Sequence, residues 1–134
     1  MSRAAPLLLV LPLLVAGCER RADSQPERTF AARALRGVLA FPQSSLVSVA
    51  AGEEAAEVVL STPVAMTDVA QWYRTNLPAN GWELKTDQVD RAGAVTMYAE
   101  KGKRPLWLTL RANAGGAGTT YTLVGAMVAG DTIK

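Results

Sequence analysis

Apolar residues fall along the chain in three rhythms, and each rhythm predicts a different structure. From Ala4 to Gly17 they are continuous, "AAPLLLVLPLLVAG". From Met66 to Leu77 they recur every three or four residues. On either side of that segment they alternate with polar residues. Met66, Val69, Ala70, Tyr73 and Leu77 follow the i, i+3, i+4, i+7, i+11 spacing of one buried helix face. Thr67, Asp68, Gln71, Arg74 and Thr75 lie on the other faces. Asp68 suits the first turn, where the helix dipole favours negative charge. Pro78 disfavours continuation, and Asn80-Gly81 suits a left-handed C-terminal cap.

The alternating segments predict strands. "SLVSV" (residues 45–49) and "EVVLST" (residues 57–62) are joined by the turn-forming "AAGEEAA", and Pro63 closes the second. After the helix, "WELKT" puts Trp82, Leu84 and Thr86 on one face. "AVTMYAEK" puts Val95, Met97 and Ala99 on one face and Tyr98 on the other. "LWLTLR" turns Leu106, Leu108 and Leu110 inward and Trp107, Thr109 and Arg111 outward. "TTYTLVGAMV" is apolar on both sides. The links "DQVDRAG", "GKRP" and "NAGGAG" read as loops, too short to hold crossover helices, so neighbouring strands run antiparallel. The expected fold is α+β in two layers: one amphipathic helix on a curved antiparallel sheet, in the order β-β-α-β-β-β-β, over residues 40–130.

The continuous run at the start predicts something else. It follows Arg3, is shorter than the roughly 20 residues of a membrane-spanning helix, and contains Pro6 and Pro12. A positive tip, a short apolar run and a small-residue end describe a signal peptide, residues 1–17. The ending "LVAGC" resembles the lipobox of bacterial lipoprotein precursors. That resemblance implies cleavage between Gly17 and Cys18 and acylation of the Cys18 sulfur. It also implies a mature protein attached to a membrane through two or three acyl chains. Glu19, where an Asp would favour the inner membrane, points to the periplasmic face of the outer membrane, with the inner membrane as the alternative. Residues 18–28 then form the lipidated cysteine and a flexible tether, "ERRADSQPER", with nothing to bury. Its Arg20, Arg21 and Arg28 are offset by Glu19, Asp23 and Glu27. A short helix is expected over 29–39, ended by Gly37 or Pro42, with Phe30, Ala34, Leu35, Val38 and Leu39 on one stripe.

Composition removes several chemistries. The 134 residues include no histidine and one cysteine, and the formal charge is +2. There is no Ser-His-Asp relay, no imidazole metal site and no internal disulfide. No phosphate-binding glycine loop is present, and the near-neutral balance gives no nucleic-acid partner. No catalytic residue, cofactor or metal site is assigned. Glu53, Glu54 and Glu57 fall short of a calcium site, and Asp87 and Asp90 read as turn formers.

The helix and its surroundings carry a second resemblance. Phe41-Pro42, Trp72-Tyr73, Leu77 and Gly81-Trp82 resemble a loose group of small bacterial envelope proteins of unknown function, with a helix ending in "WY…L…GW". The resemblance implies a structural role for Tyr73, Leu77, Gly81 and Trp82, namely capping the helix and stapling it to the sheet. It implies no activity. The candidate partner surface is Tyr98, Lys101, Lys103, Arg104 and Trp107, aromatics beside cations near one hairpin. The competing reading is a solvated turn with Trp107 covered by another segment, such as 29–39. Three functions remain open: a non-catalytic interaction module of the envelope meeting an envelope protein, a carrier of a small apolar ligand between helix and sheet, and a hydrolase using carboxylates. The first of these expectations is directly measurable. Intact mass of the mature chain extracted from membranes is expected to show a diacylglyceryl group on Cys18; an unmodified thiol with a free N-terminus refutes the anchor.

Overall fold

The computed structural model describes residues 32–126. The expected signal peptide, Gly17, Cys18, the tether, the first residues of the 29–39 helix and the end of the 40–130 domain lie outside the described residues. Along the chain come β1 (Ser45–Ala51), β2 (Ala55–Thr62), α1 (Met66–Ala79), β3 (Glu83–Val89), β4 (Val95–Lys101), β5 (Arg104–Ala112) and β6 (Thr119–Ala126). The strands form one antiparallel sheet with the spatial order β1-β2-β6-β5-β4-β3. The class is α+β.

Strand alternation sorts the side chains. Leu106, Leu108 and Leu110 of β5 meet Val95, Met97 and Ala99 of β4 and Tyr121 and Leu123 of β6 on one face. Helix α1 lays Val69, Ala70, Tyr73 and Leu77 on that face and packs against β3 and β5. The half of the face over β6 and β2 is covered by an irregular segment, residues 32–44, here termed the strap. It begins in a helical turn at 32–34, where Ala34 joins Val49 and Ala56 in a small apolar cluster. Leu35, Val38 and Phe41 pack against the main core. Gly125 of β6 makes room for it: a Cβ there would stand 2.5 Å from the Ala34 carbonyl oxygen.

Three expectations are corrected. The helix of 29–39 does not reach Leu39. Residues 35–37 form a turn, Gly37 takes a positive φ of 78°, and Val38 and Leu39 are irregular. Pro78 lies in the last turn of α1, which ends one residue later at Ala79, as expected. Proline in the last turn forfeits one bond, to the Arg74 carbonyl, and the side chains of Asn76 and Asn80 tie back to the Trp72 and Asn76 carbonyls at 2.9 and 2.7 Å. Thr86 does not share a face with Trp82 and Leu84. A bulge between Leu84 and Thr86 shifts the ladder, so Thr86 stands opposite outward Tyr98 and Asp87 opposite inward Met97. The same pairing makes residues 87–89 strand rather than loop.

The end of α1 is a Schellman motif. Gly81 has φ 86°, its N–H donates to the Pro78 carbonyl, and the Trp82 N–H donates to the Leu77 carbonyl. Trp82 and Leu77 are both buried, so the backbone closure and the apolar contact coincide. Lys101 of β4 lies across this end, its Cε 3.3 Å from where a Cβ on Gly81 would stand. It supplies the positive charge that the last turn itself lacks. Gly81→Ala forces a side chain into left-handed backbone and is expected to lower stability by about 1–2 kcal/mol, read by chemical denaturation.

Candidate functional site

Two features stand apart from ordinary packing, and they lie on opposite faces of the sheet. The first is an aromatic pair on the face that carries neither α1 nor the strap. Tyr98 of β4 and Trp107 of β5 are register partners, with ring centroids 5.4 Å apart and planes tilted by 35°. Trp107 is 44% exposed. The Tyr98 hydroxyl donates to Glu100 Oε1 at 2.7 Å, and that bond is the main cause holding its pKa above the ordinary tyrosine value. Beside the pair, Thr96, Thr109 and Thr122 stand opposite one another across β4, β5 and β6. The result is a strip of rings and hydroxyls, bordered at the Tyr98 end by Glu100 and Lys85.

The second feature is the seam between strap and α1. Each step of the strap is held by a side chain from the folded core. Arg104 donates to the Ala34 carbonyl at 3.0 Å and the Arg33 carbonyl at 3.4 Å. The Trp82 indole N–H donates to the Gly37 carbonyl at 3.2 Å, and the Tyr73 hydroxyl to the Leu39 carbonyl at 3.0 Å. The Tyr121 hydroxyl accepts the Phe41 N–H at 3.0 Å and is hydrogen-bonded to the Ser44 hydroxyl at 2.5 Å. Phe41, Trp72, Tyr73 and Tyr121 form a run of edge-on aromatic contacts under this segment, at 5.5, 4.9 and 5.7 Å. A crevice opens along the seam between Leu39, Trp72, Asn76, Asn80 and Trp82. Its volume is about 10 Å³, room for a single water.

Residues 43–117, more than half of the chain, match one known family. The chain belongs to the START domain-like family. No curated protein and no solved structure matches it. The match to the START domain-like family runs from the end of the strap through β1, β2, α1, β3, β4 and β5. It leaves out most of the strap and all of β6, which carries Tyr121.

Within this START domain-like fold the candidate partner surface divides. Tyr98 and Trp107 come together on the open face. Trp107 is not covered by the 32–39 stretch, which packs on the other side of the sheet. Lys101 and Arg104 share the parity of Ala99 and Leu106 and therefore point to the α1 side. Arg104 is a strap anchor there, its guanidinium 5.8 Å from the Trp82 ring centre. Lys103 is exposed in the β4–β5 turn. Strict alternation along "RPLWLTLR" carried this division; adjacency in sequence obscured it. Tyr73, Leu77 and Trp82 are buried between α1 and the sheet, with Gly81 at the helix cap.

The acidic residues are dispersed. Asp87 is held by Arg74 in a two-pronged ion pair, Nε to Oδ2 at 2.5 Å and Nη2 to Oδ1 at 3.1 Å, which ties α1 to β3. Asp90 accepts the N–H groups of Ala92 and Ala94 in the β3–β4 turn. Glu53 and Glu54 are exposed between β1 and β2, while Glu57 stands opposite Val124 on the open face. Among the described residues no group of three acidic or cysteine side chains is placed to hold a metal ion, and no helix is long and apolar enough to cross a membrane. Sequence reading missed the strap anchors and the threonine row; the row was accessible through the same period-two alternation that placed Trp107.

Burial raises the Tyr73 phenol above its ordinary value of 10.0. Folding therefore favours the protonated phenol, whereas the unfolded chain releases its proton near the ordinary value. Stability is unaffected by this group below about pH 10 and falls as pH rises beyond it. Tyr73→Phe is expected to cost about 1 kcal/mol near neutral pH through the lost bond to Leu39. It is also expected to flatten the alkaline decline, measured by urea unfolding across that range.

Proposed function

We propose that the mature chain is a lipid-anchored, periplasm-facing module of the cell envelope that works by binding rather than catalysis. It would be tethered through Cys18, at the outer membrane by virtue of Glu19, and would meet an envelope protein through the open face of its sheet. The observation that carries this reading is the Tyr98–Trp107 pair, a large exposed ring beside a half-buried one on a face that no other described segment covers. Exposed aromatics on a rigid sheet contribute contact area at little entropic cost, which is why they concentrate in binding surfaces. The hydroxyls of Thr96, Thr109 and Thr122 supply hydrogen-bonding capacity alongside. Glu100 and the Lys85–Glu83 pair border the Tyr98 end of this surface.

A second reading is favoured by the family match. START-like folds often bind apolar ligands, and a curved sheet closing over one helix would make a carrier of a small apolar molecule. The crevice under Leu39 is the point from which such a cavity would open. Ligand pockets for drug-sized molecules run to several hundred Å³, so the strap would have to lift away from Trp72 and Trp82. These two readings separate in one experiment. A photo-reactive residue at position 107, in the full chain expressed in living cells, is expected to give one dominant protein adduct. Absence of any protein adduct, together with an apolar molecule in solvent extracts of the purified chain, replaces the first reading by the second.

A further inference from the structure

We infer that the free edge of β1 is a docking surface for a second copy of this chain, which adds its own β1 antiparallel to the first. Such a pair forms whatever meets the open face. The two edges of the sheet are β1 and β3, and they differ in composition. An edge strand presents unpaired N–H and C=O groups to any strand that approaches, and folded proteins blunt it with charges, proline or bulges. Along β3, Glu83, Lys85 and Asp87 alternate with uncharged residues, and a bulge falls between Leu84 and Thr86. β1 and its flanks, Gln43 to Gly52, hold no charged residue and no proline. Leu46 is 54% exposed and its neighbour Val47 59%. The one bulge of β1 is at Val47, and from Ser48 to Ala51 the ladder with β2 is regular. Among the described residues only β2 pairs with this strand. Ala34 of the strap reaches Val49 over the face of the sheet, and Ser45, Leu46, Val47 and Ser48 stay exposed.

Charge and symmetry select the occupant. Glu53 and Glu54 lie in the turn just past β1. Two copies of β1 set side by side in parallel would bring these acidic turns together. Antiparallel, the turns stand at opposite ends of the joint, about 23 Å apart, well beyond the screening length of about 8 Å at physiological salt. Each acidic turn then lies beside Gln43, Ser44 and Ser45 of the other copy, which carry no charge. Pairing of β1 with the β3 edge of another copy would set Leu46 and Val47 against Glu83, Lys85 and Asp87. It would also build an open chain of molecules rather than a closed pair. A foreign strand would be selected by charge, and residues 43–52 offer none.

The joint has a geometric consequence. An antiparallel pair of identical edges has its two-fold axis perpendicular to the sheet, so both open faces lie on the same side. The two Tyr98–Trp107 pairs then face one way and are presented together. The seven residues of β1 make an edge about 23 Å long and about 10 Å deep. That is well below the roughly 800 Å² per partner of a standard interface, so the pair forms reversibly and is best caught by a covalent trap.

The test places a photo-reactive residue at position 48 of the full chain, expressed in living cells. An adduct of twice the chain's mass is expected, with both cross-linked peptides drawn from the β1 region. The same residue at position 85, on the β3 edge, is expected to give none. Val47→Lys brings a lysine from each copy to the joint and is expected to lower the doubled adduct at least about tenfold. Val89→Lys, at an exposed valine of the β3 edge, is expected to leave it unchanged. Val47 is itself exposed, and unchanged thermal unfolding checks that its variant keeps the fold. A folded, abundant chain with no doubled adduct overturns the pairing, as does an adduct from position 48 to a different protein alone. Equal doubled adducts from positions 48 and 85, or no loss in Val47→Lys, overturn it as well.

Discussion

A six-stranded antiparallel sheet with one apolar face sets the problem that the rest of this structure solves. Five interstrand spacings make a face about 24 Å wide. One α-helix with its side chains covers about 10 Å of it. Helix α1 takes the β3–β5 half, leaving β6 and β2 to be covered by something else. The chain provides no second helix between strands for that purpose. It uses the segment before β1 instead, an irregular strap whose backbone carbonyls would be left unpaired against an apolar surface.

That constraint explains which polar atoms sit at the seam. Local turns pair only the Arg33, Leu35 and Phe41 carbonyls within the strap, and the core lends side-chain donors to others. The Trp82 indole and the Tyr73 hydroxyl each reach out of the packed layer to one strap carbonyl, and the Arg104 guanidinium reaches two. Tyr121 does the reverse and accepts an N–H. Aromatic residues with polar tips suit this work because the ring fills the core while the tip reaches the edge. What neither helix nor strap covers stays open: Leu46 and Val47 of β1 are both more than half exposed.

The parts of this arrangement that obey a period are visible in sequence. The buried face of α1 follows from spacing alone. The inward leucines of β5 and the outward Trp107 follow from alternation, and together they give the α+β class. The strap obeys no period, because it is held by contacts to residues 34 to 80 positions away rather than by its own pattern. Nearness in sequence groups Arg104 with Trp107, whereas a strand sends residues of opposite parity to opposite faces. The bulge after Leu84 is invisible for a related reason. "WELKTDQV" alternates acceptably in either register, and only pairing with β4 decides where the ladder slips. The candidate partner surface was therefore half legible: its aromatic members are neighbours, and its cations belong elsewhere.

The strap's bonds are also arranged in series along the chain. Arg104 grips Ala34, Trp82 grips Gly37, Tyr73 grips Leu39 and Tyr121 grips Phe41, in that order from the N-terminal side. A pull applied through the preceding residues loads these attachments one after another, as in peeling, whereas the six strands beneath share load across whole ladders. Mechanically the domain has a weak seam built over a strong plate. Tension on its N-terminal side would be spent lifting the strap, uncovering Trp72 and Tyr73, before any strand is disturbed.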